Sequence, residues 1–214
     1  MKKSPNWEIF MNEFFERNSY MQWHDGIDPS VLLQLSKEEL AEAEDLLIES
    51  VKNGGMWPTV GLATIKSKKA IPVFKEKLKT SKGVLKIRIA DALENIEGAG
   101  DYIPILIEEL RENPSPYDRL KAAMNLGDYS TNIVIEALYD ALLDSDYLVR
   151  YHSANSLLKI HNMRPDNISK YEKIFQNLIE SEEKFQGRDP DEKYTLAANQ
   201  MKDLLKNKTK KSYP

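Results

Sequence analysis

The sequence contains no cysteine. That excludes disulfides, thiol nucleophiles and thiolate metal sites. Histidine is nearly as scarce: His24, His152 and His161 are the whole supply. His152 and His161 fall on one expected helix but nine residues apart. At about 100° per residue they stand half a turn out of phase, so they cannot share a metal from one face. No His-Glu-x-x-His, Gly-rich phosphate loop or nucleophile elbow occurs. His24 and Asp25 could form a base and its orienter, but adjacent residues rarely point at a common centre. Glu108-Glu109 and Glu182-Glu183 suit solvated helix faces. The expectation is a chain with no catalytic residues, no metal and no cofactor, and not an enzyme.

Long apolar runs are missing too. Nothing approaches the roughly 20 residues of a membrane span. The basic start Met1-Lys2-Lys3 leads into Ser4-Pro5-Asn6-Trp7-Glu8, not a secretory apolar core. The expected location is the cytoplasm, with no membrane partner. Charge of one sign is also lacking: 30 Lys and Arg face 34 Asp and Glu, a formal net charge of -4. That leaves no basic footprint for nucleic acid. Only the end, Lys206 to Ser212, is a short basic run, and it has no aromatics to stack on bases.

What the sequence does have is internal repetition. Leu62, Leu93, Leu126 and Leu157 form one column, spaced 31, 33 and 31 residues apart. Three positions before each stands a small residue: Thr59, Ala90, Ala123 and Ala154. Ile71, Ile103 and Ile135 form a second column, and Leu78, Leu110 and Leu142 a third. Columns that keep step on two successive helices predict a stack of helical hairpins, each burying its apolar face on the next. The predicted fold is all-α: a right-handed α-α superhelix, a solenoid of about five helical hairpins with an N-terminal capping helix.

Taken in order, Asn6 to Asn18 reads as an amphipathic helix with Trp7, Phe10, Met11, Phe14 and Phe15 in one stripe. It is expected to cover the open end of the stack. The segment Ser19 to Pro29, with Trp23-His24-Asp25-Gly26, is the least repeat-like and reads as a folded-back loop. Ser36 and Glu39 make a capping box for a helix to Lys52, which Gly54-Gly55 ends. Outer helices are expected near 69–79, 100–112 and 131–143, and inner helices near 83–97, 116–127 and 147–161. A divergent pair follows, over 168–183 and 191–207. The domain reading is therefore 1–36 capping helix and aromatic loop, 37–207 repeat solenoid, and 208–214 basic tail.

The repeat can be identified further. Asp144-Ser145-Asp146-Tyr147-Leu148-Val149-Arg150, followed by Ala154, Leu157 and Ile160, resembles a HEAT-like repeat of the short, phycobilisome-lyase type. In that family an Asp follows the outer helix and a Val-Arg pair opens the inner one. Lys86 and Arg119 occupy the Arg column, Thr80 and Asn113 the Asp column, and Pro72 and Pro104 match the Pro near the start of outer helices. The resemblance implies inner helices lining a concave face, and a scaffold put to many uses.

Taking Ala154 and Leu157 as buried, the opposite side of that helix centres on His152, flanked by Ser156 and Lys159. The columns carry this register back to Lys121, Arg88 and Trp57. Asn125 and Asp128 flank Lys121 in the same way. Trp57, Arg88, Lys121, Asn125, Asp128 and His152 are thus the candidate partner-binding residues, suited to another protein with an acidic or aromatic epitope. The reading that follows is a noncatalytic protein-binding scaffold, one form of which is a bacterial immunity-type protein that neutralises a toxin. Two family resemblances compete with it: a DNA-repair glycosylase and a phycobiliprotein lyase or chaperone. Against the first stand the acidic balance and the single Trp on the inner surface. Against the second stand the missing cysteine and bilin motif.

Overall fold

Several helix starts follow caps written into the sequence, at Ser4, Ser36, Ser115 and Asp146. The computed structural model describes residues 3–17, 20, 22, 25–179 and 190–211. Among them the chain is all-helical, with no strand. It divides into two compact units, Met1–Tyr102 and Ile103–Pro214.

In the first unit, α1 (Pro5–Met11) starts at Ser4, whose Oγ accepts from the Trp7 N–H at 3.2 Å. The Ser4 N–H and hydroxyl in turn donate to the Glu39 carboxylate at 2.7 and 2.9 Å. Glu39 also completes the Ser36 capping box that opens α2 (Lys37–Lys52). One buried carboxylate therefore satisfies donors at two helix starts.

The first helix departs from the expected course. Beyond α1 the chain takes a π-helical turn, Asn12–Glu16, closed by the Arg17 N–H on the Asn12 carbonyl at 2.8 Å. This i→i+5 bond widens the turn. Phe10 and Phe14 stay in the core, while Phe15 swings out and is 38% exposed. The expectation that Phe15 shares the buried stripe is corrected, as is the continuous helix to Asn18. Asn18 and the loop residues Trp23 and His24 lie outside the described residues.

The hairpins of this unit are α2 with α3 (Trp57–Thr64) and α4 (Ile71–Leu78) with α5 (Gly83–Glu97). Outer α2 packs on outer α4, and inner α3 on inner α5. Phe10, Leu32, Leu47, Leu62, Phe74 and Leu93 are fully buried between them. Gly61 is required by this packing: a Cβ there would meet the Phe14 ring at 2.8 Å and Leu32 at 3.0 Å. Gly98, at φ +65°, ends α5 in the left-handed conformation. The buried Glu94 carboxylate then receives the N–H groups of Gly100 and Tyr102 at 2.8 and 3.2 Å.

The second unit repeats the scheme with α6 (Ile103–Glu112), α7 (Pro116–Leu126), α8 (Asn132–Asp140) and α9 (Tyr147–Ile160). α6 packs on α7 and α8, and α9 on α7 and α8. A short α10 (Glu172–Leu178) and a long α11 (Pro190–Lys211) follow. The expected helix over 168–183 is instead a 3-10 turn, Ile168–Lys170, and then α10. The rest of that expected helix, 180–183, lies outside the described residues. α11 runs into the stretch expected as a tail, as far as Lys211.

The repeat columns are the core. Leu62, Leu93, Leu126 and Leu157 are fully buried, as are Ala90, Ala123 and Ala154, with Thr59 nearly so. Ile103, Leu110 and Leu142 are buried, whereas Ile71, Leu78 and Ile135 are partly covered. Replacing Ala154 with Leu is expected to overpack the α9 contact and cost roughly 1–3 kcal/mol. A urea titration checks this; a midpoint equal to the parent's would show that the position tolerates bulk.

The two aspartates before α9 divide the work between them. The helix cap is Asp146, whose carboxylate accepts from Leu148 and Val149 at 2.9 and 3.1 Å. Asp144 does not cap α9. Its two oxygens take a bidentate pair from Arg119 of α7, both at 2.8 Å, and one also receives the Asp146 N–H. The Arg119 guanidinium is held above its ordinary pKa, first by that hydrogen-bonded carboxylate. Removing the cap, Asp146→Ala, is expected to cost about 1 kcal/mol. Asp144→Ala is expected to cost more, roughly 1.5–3 kcal/mol, because it strands a charged partner. Equal denaturation midpoints for the two variants would contradict this division of labour.

Candidate functional site

The first unit brings together the two candidate residues it contains. Trp57 opens α3, where Pro58 at the second helical position suits the missing N–H. Arg88 projects from the middle of α5. Its guanidinium carbon lies 4.2 Å from the centroid of the Trp57 ring. Both side chains are half-buried. A guanidinium on an indole face gains cation–π attraction and loses rotamer freedom before any partner arrives.

In the second unit the register of α9 against α7 is fixed by two bonds. Lys159 pairs with Asp128 at 2.5 Å, and the Ser156 hydroxyl donates to the Ala123 carbonyl at 2.8 Å. Lys121 and His152 occupy equivalent positions, one repeat apart, within this frame. The Lys121 ammonium lies 5.1 Å above the Tyr117 ring, one turn back on its own helix. The Tyr151 and His152 rings meet edge-on at 5.2 Å.

His152 is held below the ordinary histidine pKa of 6.5, first by burial and then by the Lys121 charge. An ordinary histidine becomes cationic below about pH 6.5; the environment of His152 moves that change to more acid conditions. The sign for stability follows. The unfolded chain takes up its proton near pH 6.5, while the folded chain resists. The contribution of neutral His152 is therefore present above that pH and lost as pH falls through the lowered folded pKa. The parent is expected to lose more stability than His152→Gln between neutral pH and about pH 5. Urea midpoints of the two proteins across that range check this, and parallel losses would contradict it.

The flanking row differs from its expected exposure. Ser156 is buried, as are Ala92 and Gly61 at the equivalent positions of earlier repeats, and Asn125, one repeat before Ser156, is half-buried. The solvent stripe of α7 and the turn after it instead runs through Tyr117, Lys121, Met124 and Asp128, spaced four, three and four apart. On α9 it runs through Leu148, His152, Asn155 and Lys159. Tyr117, Met124 and Leu148 are 37%, 41% and 46% exposed. Sequence reasoning missed these three because exposed apolar residues look like core ones in a periodic pattern. The available signal was their fixed offset of three or four residues from Lys121 and His152. Asn155 is engaged internally, accepting the Ile168 N–H at 2.7 Å.

Among the described residues no group of three or more His, Asp or Glu is placed to hold a metal. None of their helices is long and apolar enough to cross a membrane. Residues 103–177, from α6 into α10, match the family model of HEAT repeats. This part of the chain is HEAT-like. The Asp144 to Arg150 motif lies inside the HEAT match. HEAT repeats generally act as protein-interaction scaffolds. No curated protein and no solved structure matches the chain.

Proposed function

We propose that the chain is a noncatalytic protein-binding scaffold that contacts another protein through the faces of its inner helices. The observation that carries this reading is the Arg88 guanidinium stacked on Trp57 at 4.2 Å. Arg and Trp are the residue types that concentrate binding energy in interfaces, and a cation already seated on an aromatic face needs little further ordering. The second unit supports the reading with its own set, Lys121 over Tyr117 with His152 beside them. Asp128 contributes through its pair with Lys159, and Asn125 lies at the edge of the stripe. The partner has an acidic or aromatic epitope and meets the chain in the cytoplasm. The finer role of the chain is that of a bacterial immunity-type protein; its pI near 5.6 and its leading helix support this form.

The test is a pull-down from native lysate followed by affinity measurement on the recovered partner. The Arg88→Ala, Lys121→Ala double variant is expected to bind about tenfold more weakly or worse. A well-folded double variant that binds as tightly as the parent places the contact elsewhere. A toxin as the recovered partner would support the immunity role; a partner of another kind would remove it and leave the scaffold.

A further inference from the structure

The exposed stripe of the second unit is organised by chemistry as well as by exposure. At one end Tyr117 and Leu148 hold equivalent positions on α7 and α9, and both are open to solvent, at 37% and 46%. One turn further along come Lys121 and His152, again equivalent. One turn beyond, Met124 is 41% exposed, and the Asp128–Lys159 pair closes the stripe at 2.5 Å. The register is not free to slip. That ion pair and the Ser156 hydroxyl on the Ala123 carbonyl lock the two helices at the repeat offset. The result is an apolar step, a basic step and a second apolar step along one short surface.

We infer that this surface takes an acidic amphipathic segment of a partner protein, with an apolar side chain between Tyr117 and Leu148 and a carboxylate between Lys121 and His152. The inference rests on the scaffold reading above and names the chemistry of its partner. Charge complementarity argues for it. The chain is acidic overall, with a net charge of -4, yet here a lysine and a histidine stand at equivalent positions on two helices that pack together. Burial first, and then the Lys121 charge, opposes protonation of His152. A carboxylate placed between them offsets that charge and accepts hydrogen bonds from both. The flanking apolar residues supply the burial that a carboxylate alone cannot. A helical segment with Leu three or four residues from Glu presents both groups on one face.

The experiment uses the full chain and a fluorescein-labelled helical peptide with Leu and Glu on one face. Two control peptides carry Lys for Glu and Ala for Leu. Fluorescence anisotropy is expected to show binding of the first peptide only. Tyr117→Ala, at an exposed position, and Lys121→Gln are each expected to weaken it about tenfold. The His152 ring signals in proton NMR are expected to titrate at higher pH in the complex than in the free chain. Binding of the Lys peptide as tight as that of the Glu peptide would overturn the inference, as would unchanged affinity in Tyr117→Ala. If the Glu peptide fails while the natural partner still depends on Arg88 and Lys121, this inference falls and the scaffold reading stands. If the natural partner ignores both residues, the scaffold reading falls first.

Discussion

Replacing Arg150 with Ala is expected to destabilise the second unit by about 3–5 kcal/mol. Arg150 is fully buried, the largest side chain to be so among the described residues. Its Nε donates to the Leu178 carbonyl at 3.0 Å, and one terminal nitrogen donates to the carbonyls of Asp144 and Ser145 at 2.6 and 2.9 Å. Its guanidinium carbon sits 3.8 Å from the centroid of the Tyr194 ring. The side chain thus ties the turn before α9 to the end of α10 and to α11. Each covered carbonyl left without a donor costs roughly 1–3 kcal/mol, and the vacated volume adds to this. The terms share one neighbourhood and do not simply add. At roughly 2–4 °C per kcal/mol for a chain of this size, the melting temperature should fall by on the order of 10 °C. Arg150→Lys keeps the charge but not the planar fork, so it should recover only part of the loss. An Arg150→Ala protein that melts within a couple of degrees of the parent would show that these bonds are replaced by water.

The second large effect belongs to the first unit. Phe10→Ala is expected to cost about 3–5 kcal/mol. Phe10 is fully buried, with the rings of Trp7, Phe14 and Phe15 centred 5.2, 5.4 and 5.7 Å away. Little backbone freedom is available to close the gap, because α1 is pinned at its start by the Ser4 and Glu39 bonds. Phe15→Ala, five residues on and turned partly outwards by the π-helical turn, should cost less, about 1 kcal/mol, since it loses only its edge contact with Phe10. Urea denaturation of the two variants compares them directly. The reverse order of effects would mean that the turn is a regular helix with Phe15 inside.

The periodic features of this chain were legible in its sequence, and the long-range polar ones were not. The Leu and Ala columns, the Ser36 capping box and the limits of α5, α7 and α9 follow from local pattern, which obeys a fixed period. The π-helical turn inserts one residue into that period and leaves no mark in the composition. Glu39 was legible as the partner of Ser36, three residues away, but not of Ser4, 35 residues away. Asp144 has the same difficulty: its partner Arg119 lies 25 positions earlier, on another helix, while the sequence offers the nearer Arg150. At the candidate site the placement of Lys121 and His152 was legible, since a column fixes it. Which residues flank them in solvent was not. A helix position facing half inward can hold Ser156 buried against Ala123 as readily as it can leave it exposed. Gly61 shows the same limit, since the distant Phe14 ring and Leu32 explain the missing side chain.

The most direct test of the scaffold reading is hydroxyl-radical footprinting of the chain with and without its recovered partner. Trp57, Tyr117, Met124 and His152 all react readily with hydroxyl radicals and stand on inner helices. The reading predicts that their oxidation falls several-fold in the complex, while the exposed outer-helix residues Leu46 and Ile133 keep their reactivity. Protection confined to Leu46 and Ile133, with Trp57, Tyr117, Met124 and His152 oxidised as in the free chain, would contradict it.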